Sequence, residues 1–127
     1  MKIVSSHGAP AARGHYSQAV VHNGLVYVAG QLPIVPGAPD TRLVSFEDQA
    51  RRVIDNVAAI LAEAGSGLDL IVKATVYIAD VSQWPAFNAI YAERFAGHKP
   101  ARTVVPVSGL HYGYLVEMDA IAALRGA

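Results

Sequence analysis

The chain predicts an α+β fold in which a mixed β-sheet is covered on one face by two helices. Three observations carry this. Asn23-Gly24 stands between two apolar, β-branched runs, and Asn-Gly is a strong hairpin signal because both residues tolerate positive φ. Two segments, starting near Ser45 and Asp80, repeat apolar residues at three-and-four spacing. Strand-like runs stand before, between and after them, so helices interrupt an otherwise hairpin-rich chain.

Ala19 to Val21 and Leu25 to Ala29 open the domain as two antiparallel strands. Gln31 to Thr41 carries Pro33, Pro36, Gly37 and Pro39, which makes it an irregular surface loop. Ser45 with Asp48 resembles a capping box, and Ala50, Val53, Ile54, Val57, Ile60, Leu61 and Ala64 form the stripe of a helix of about five turns ending at Gly65. Arg51, Arg52, Asp55 and Glu63 fall on its solvent side. Ile71 to Ile78 alternates as a strand with one covered face: Val72, Ala74, Val76 and Ile78 point one way, Lys73, Thr75 and Tyr77 the other. Asp80 or Ser82 caps a second helix with Pro85 in its first turn, a stripe of Trp84, Phe87, Ile90, Tyr91 and Phe95, and an end at Gly97 and Pro100. Thr103 to Val107, a turn over Ser108 to Gly113, and Tyr114 to Leu124 complete the order β, β, α, β, α, β, β. The uncovered sheet face is where a second subunit would pack.

Composition narrows the function classes. A length of 127 residues suits one domain, residues 1–127. Hydrophobic residues make up 53% and charged residues only 16%, more apolar surface than one small core needs, so a homo-oligomer is expected. Ten basic residues balance ten acidic ones without a basic cluster, which removes the electrostatic term behind nucleic-acid affinity. No apolar run reaches the roughly 20 residues of a membrane span, and Met1 to Arg13 lacks a signal-peptide core, so a cytoplasmic location is expected. The absence of cysteine excludes disulfides, thiolate nucleophiles and thiolate metal sites.

The chemistry points to the last third. Arg102 begins one apolar β-run and Glu117 lies inside the next. A guanidinium grips a carboxylate through two parallel hydrogen bonds, and a half-buried carboxylate can hold and activate water, so the pair suits a small organic acid. Blander roles remain open: an ion pair for Arg102, a solvated strand face for Glu117 in phase with Asp119, an interface for Tyr16, a helix surface for Asn88. Asp119 reads as structural, and Trp84, Phe87 and Tyr91 read as core rather than a stacking platform. His7, His15, His22, His98 and His111 show no metal-ligand spacing, and Ser17 lacks a nucleophile elbow.

Five segments carry a resemblance: Gly14 to Gln18 (Gly-His-Tyr-Ser-Gln), Val26 to Pro33 (Val-Tyr-Val-Ala-Gly-Gln-Leu-Pro), Asn88 to Phe95 (Asn-Ala-Ile-Tyr-Ala-Glu-Arg-Phe), Pro100 to Thr103 (Pro-Ala-Arg-Thr) and Val116 to Ala122 (Val-Glu-Met-Asp-Ala-Ile-Ala). In order from about Ala9 to Leu124, they resemble the signatures of the RidA (YjgF-type) enamine/imine deaminases. The resemblance implies a chorismate-mutase-like fold and a homotrimer with active sites between subunits. It also implies hydrolysis of reactive 2-imino acids, such as 2-iminopropanoate and 2-iminobutanoate, to 2-keto acids and ammonia without cofactor or metal. Arg102 matches the family's carboxylate clamp and Glu117 its water-orienting glutamate, with Tyr16 and Asn88 lining the pocket and Gly30, beside Ala29, where backbone approaches the ligand. The chain departs from the common pattern at Ala29 (often serine), Val104 (often cysteine), His15 (usually proline), Pro106 and the loop His111 to Tyr114. Ala29 and Val104 make the substrate pocket more apolar and put the substrate in question. Two alternatives stand beside the deaminase: a non-catalytic trimer that senses a small carboxylate, and a deaminase of a larger substrate such as an aminomuconate.

Overall fold

The computed structural model describes residues 1–126. Six strands, β1 (Lys2–Val4), β2 (Ala19–His22), β3 (Leu25–Gln31), β4 (Ile71–Ile78), β5 (Ala101–Pro106) and β6 (Val116–Ala123), and two helices, α1 (Phe46–Ala64) and α2 (Trp84–Phe95), build it. The strands form one sheet in the order β1-β2-β3-β6-β4-β5, with β4 and β5 parallel and every other pair antiparallel. Both helices bury their stripes on one face: Val53, Ile54, Val57, Ile60 and Leu61 of α1 and Phe87 of α2 are fully inaccessible, packed on Val26, Val76, Val116 and Met118. No helix among the described residues is long and apolar enough to cross a membrane.

Local chemistry sets the boundaries. Asn23 (φ 51) and Gly24 (φ 79) make the tight turn of the β2–β3 hairpin. The Ser45 side chain accepts from the Asp48 backbone N–H, and Gly65 ends α1 in the left-handed region at φ 86. Asp80 caps a short 3₁₀ turn, Val81–Gln83, that leads into α2.

Four expectations are corrected. The sheet opens with β1 before the hairpin, a strand too short to show periodicity. Val72 does not share the covered face with Ala74 and Val76: the β4–β6 register slips between Ile71 and Lys73, which buries Ile71 and turns Val72 outward. The residue that turns the chain out of α2 is Ala96, at φ 52, rather than Gly97. The last strand begins at Val116 because His111 to Gly113 form a 3₁₀ turn. Pro106 ends β5, where an edge strand tolerates a missing N–H.

Candidate functional site

Strand β6 alternates between the two faces of the sheet. Val116, Met118, Ala120 and Ala122 face the helices and are buried, so Glu117 and Asp119 face the other way. Opposite Glu117 on β4 stands Tyr77, whose hydroxyl reaches past it to donate to Asp119 at 2.9 Å. On the other flank, the β3–β6 register slips between Val28 and Gln31 and leaves a bulge at Ala29 and Gly30. Glu117 fills the space this opens, its carboxylate lying where a β-carbon on Gly30 would stand. Burial raises the Glu117 carboxyl above its ordinary pKa, the Asp119 charge adds to the rise, and His111 opposes it.

This carboxylate lies in a cleft of about 650 Å³ that also takes in Tyr16, Ala29 and Gly30. Its walls come from two segments pinned by buried amides. Gln18 donates to Ser6 O and Pro10 O and accepts from Ser6 N–H, which fixes the stretch leading to Arg13 and Tyr16. Asn56 donates to Leu32 O and Ile34 O at 3.0 Å each, and Gln49 donates to Leu43 O while accepting from Leu115 N–H. The loop between β3 and α1 is thereby held at both ends, and its middle brings Asp40 and Arg42 to the cleft.

Arg102 is elsewhere. In the parallel β4–β5 register it stands beside Ala74, a buried residue of the helix-covered face, so its side chain runs along α2. There it donates to Asn88 Oδ1 at 3.1 Å, with the guanidinium carbon 4.6 Å from the Trp84 ring centroid and 4.7 Å from that of Tyr91. Val104, in register with Val76, packs against the core on the same side. The seven residues singled out in the sequence thus fall into two groups: Tyr16, Ala29, Gly30 and Glu117 around the cleft, and Asn88, Arg102 and Val104 on the opposite face at the β5 edge. Within one chain Arg102 and Glu117 do not meet.

Several participants escaped the sequence reading. Trp84 and Tyr91 are core residues that also form a platform for the Arg102 guanidinium, which corrects their reading as core alone. Arg13 and Arg42 give no sequence signal, because loop arginines are common. His111, Tyr112 and Tyr114 stood out only as departures from a pattern, yet all three line the cleft. Among the described residues no three His, Asp or Glu side chains gather as a metal site would require.

Residues 6–124 match the family described as Endoribonuclease L-PSP. The chain is 43% identical over 119 residues to Protein HMF1 of Saccharomyces cerevisiae, covering 92% of this chain and 90% of that one. It is 37% identical over 123 residues to Reactive Intermediate Deaminase A, chloroplastic, of Arabidopsis thaliana, covering 97% and 66%. The crystal structure of Escherichia coli TdcF with bound serine superposes with a TM-score of 0.93 at 34% identity, covering 97% of this chain and 98% of that one.

Proposed function

The chain belongs to the family described as Endoribonuclease L-PSP, the YjgF/RidA family, and on that premise we propose that it hydrolyses reactive 2-imino acids to 2-keto acids and ammonia in sites shared between neighbouring subunits of a homotrimer. The family includes a reactive intermediate deaminase, and one structural relative holds bound serine, an amino acid with the α-carboxylate that an arginine clamp suits.

One observation carries the proposal: the residues proposed for the site fall into two groups on opposite faces of the sheet. Glu117 sits half-buried in a cleft without Arg102, while Arg102 lies against Asn88, Trp84 and Tyr91 and is in none of the ion pairs among the described residues. A second copy that brings its β5 edge to this cleft completes the pair.

In the assembled site, Arg102 grips the substrate carboxylate with the N–H groups that Asn88 leaves free. Glu117 takes a proton from water as the oxygen bonds to the imine carbon, and passes that proton to the imine nitrogen. The resulting carbinolamine collapses when its hydroxyl proton moves through Glu117 to the amine. The C–N bond breaks, ammonia leaves and the 2-keto acid remains, with Glu117 again a carboxylate. Imines are intrinsically reactive, so orientation and proton transfer suffice.

The test generates 2-iminopropanoate and 2-iminobutanoate in situ with a lyase and follows their decay. Wild type accelerates it, while Arg102→Ala and Glu117→Ala each lose on the order of 10²-fold or more. Mixing the two unfolded variants and refolding them together restores activity, since roughly a quarter of shared sites in a random one-to-one assembly take both intact residues. A wild type that leaves the spontaneous rate unchanged indicates a sensor, and absence of complementation overturns the shared site.

A further inference from the structure

Beyond Glu117 the cleft has a chemically distinct wall. His111, whose charge acts on Glu117, lies 5.9 Å from the Tyr112 ring, Tyr112 lies 6.2 Å from Tyr114, and the Arg42 guanidinium carbon sits 4.4 Å over the Tyr114 ring. A contiguous aromatic path therefore leads from Glu117 to a cation. Tyr112 is 65% exposed. One feature sets the wall apart from ordinary surface. Ion pairs among the described residues join Arg51 to Asp48, Arg94 to Asp55 and Arg125 to Asp69, and neither Arg42 nor Arg13 of the cleft has one, although Asp40 is also on its wall.

From this we infer that the cleft contains a second anion subsite, formed by Arg42 on its Tyr114 platform with Arg13 nearby, and that the preferred substrate is a 2-imino acid bearing a second carboxylate at the end of its side chain. The inference rests on the deaminase reading and names its substrate class. Arg102 of the neighbouring subunit takes the α-carboxylate, Glu117 serves the imine carbon, and the side chain runs along Tyr112 and Tyr114 to Arg42. Stacking on a buried tyrosine restricts Arg42, so less freedom is lost when it binds an anion.

An amino-acid oxidase supplied with aspartate, glutamate, alanine or phenylalanine generates the matching imines, and their decay gives kcat/KM for each. The dicarboxylic imines are expected to exceed 2-iminopropanoate by tenfold or more. Arg42→Gln should reduce that preference at least tenfold, Arg42→Lys should restore part of it, and Tyr114→Ala should weaken it as well. Calorimetric titration supplies a readout independent of turnover: 2-oxoglutarate should bind more tightly than pyruvate, and Arg42→Gln should narrow the gap. Equal rates for mono- and dicarboxylic imines, a preference unmoved by Arg42→Gln, or faster turnover of the phenylalanine-derived imine would overturn the second subsite. If no imine decays faster than it does unaided but 2-oxoglutarate still binds through Arg42, the deaminase reading fails while the subsite stands.

Discussion

The Glu117 carboxylate occupies the space in which any β-carbon at Gly30 would have to stand. Gly30 does not have a positive φ, so its backbone conformation suits alanine, and the conflict is with the glutamate alone. Gly30→Ala should therefore fold with near-native stability while displacing the carboxylate. A misplacement near 1 Å costs a positioned catalytic group on the order of 10²-fold in rate. Imine decay assays beside circular dichroism check this, and a fully active Gly30→Ala would mean that Glu117 does not act from this position.

The electrostatic setting of Glu117 predicts a pH profile. Burial and the Asp119 charge raise its carboxyl above 4.5, and His111 pulls the other way. Because the base form does the work, activity should fall as pH drops through that raised pKa, so the acid limb lies above pH 4.5. Tyr77, Arg13, Asp40 and Arg42 also face this region, but Asp119 is the like charge that raises the carboxyl. Asp119→Asn should move the limb to lower pH, read from kcat/KM between about pH 4 and 8.

Stability has a matching sign. A carboxyl with a folded pKa above its unfolded value ionises first in the unfolded chain, so stability falls as pH rises through the two values. Glu117→Gln should melt higher than wild type at neutral pH, with the difference vanishing below pH 4. Thermal melts at the two pH values decide it.

Arg102 can be followed by light, because Trp84, against which it lies, is the only tryptophan in the chain. Binding of pyruvate to the guanidinium should change Trp84 fluorescence in wild type and leave it unchanged in Arg102→Ala. Arg102→Lys keeps the charge but not the planar fork, so kcat/KM should drop on the order of 10²-fold, mainly through KM. Asn88→Ala, which frees the guanidinium from its hydrogen bond, should raise KM by roughly tenfold. A fluorescence response that survives Arg102→Ala would place the carboxylate elsewhere.

What could be read from the sequence divides along a physical line. Asn23-Gly24, Ser45 with Asp48, and Gly65 each encode their geometry within a few residues, and each forms the turn or cap expected of it. The bulge at Ala29 and Gly30 left a weaker trace, a glycine inside a strand run. β1 and the outward turn of Val72 left none, because both depend on which strand lies alongside. The site follows the same rule. Arg102 and Glu117 were conspicuous as charges in apolar runs, but their opposite facing follows from the register of β5 on β4 and of β4 on β6. Arg42 is in a proline-rich loop without periodicity, and only the amides that pin that loop bring it to the cleft.

Those amides yield the last prediction. Asn56 is fully buried, donates to Leu32 O and Ile34 O, and accepts from Arg52 Nε at 3.0 Å, so its amide closes a buried network. Asn56→Leu fits the volume but orphans two carbonyls, a loss of about 2–6 kcal/mol at 1–3 each, or on the order of 10–20 °C in Tm. Because the same bonds anchor the loop that carries Arg42, the variant should also lose turnover at temperatures where it remains folded. Ser45→Ala separates the effects: removing a helix cap costs about 1 kcal/mol while the loop stays pinned, so stability should fall and rates hold. If Asn56→Leu lost only stability, the loop would shape the cleft without contributing to its chemistry, and the second anion subsite would lose its support.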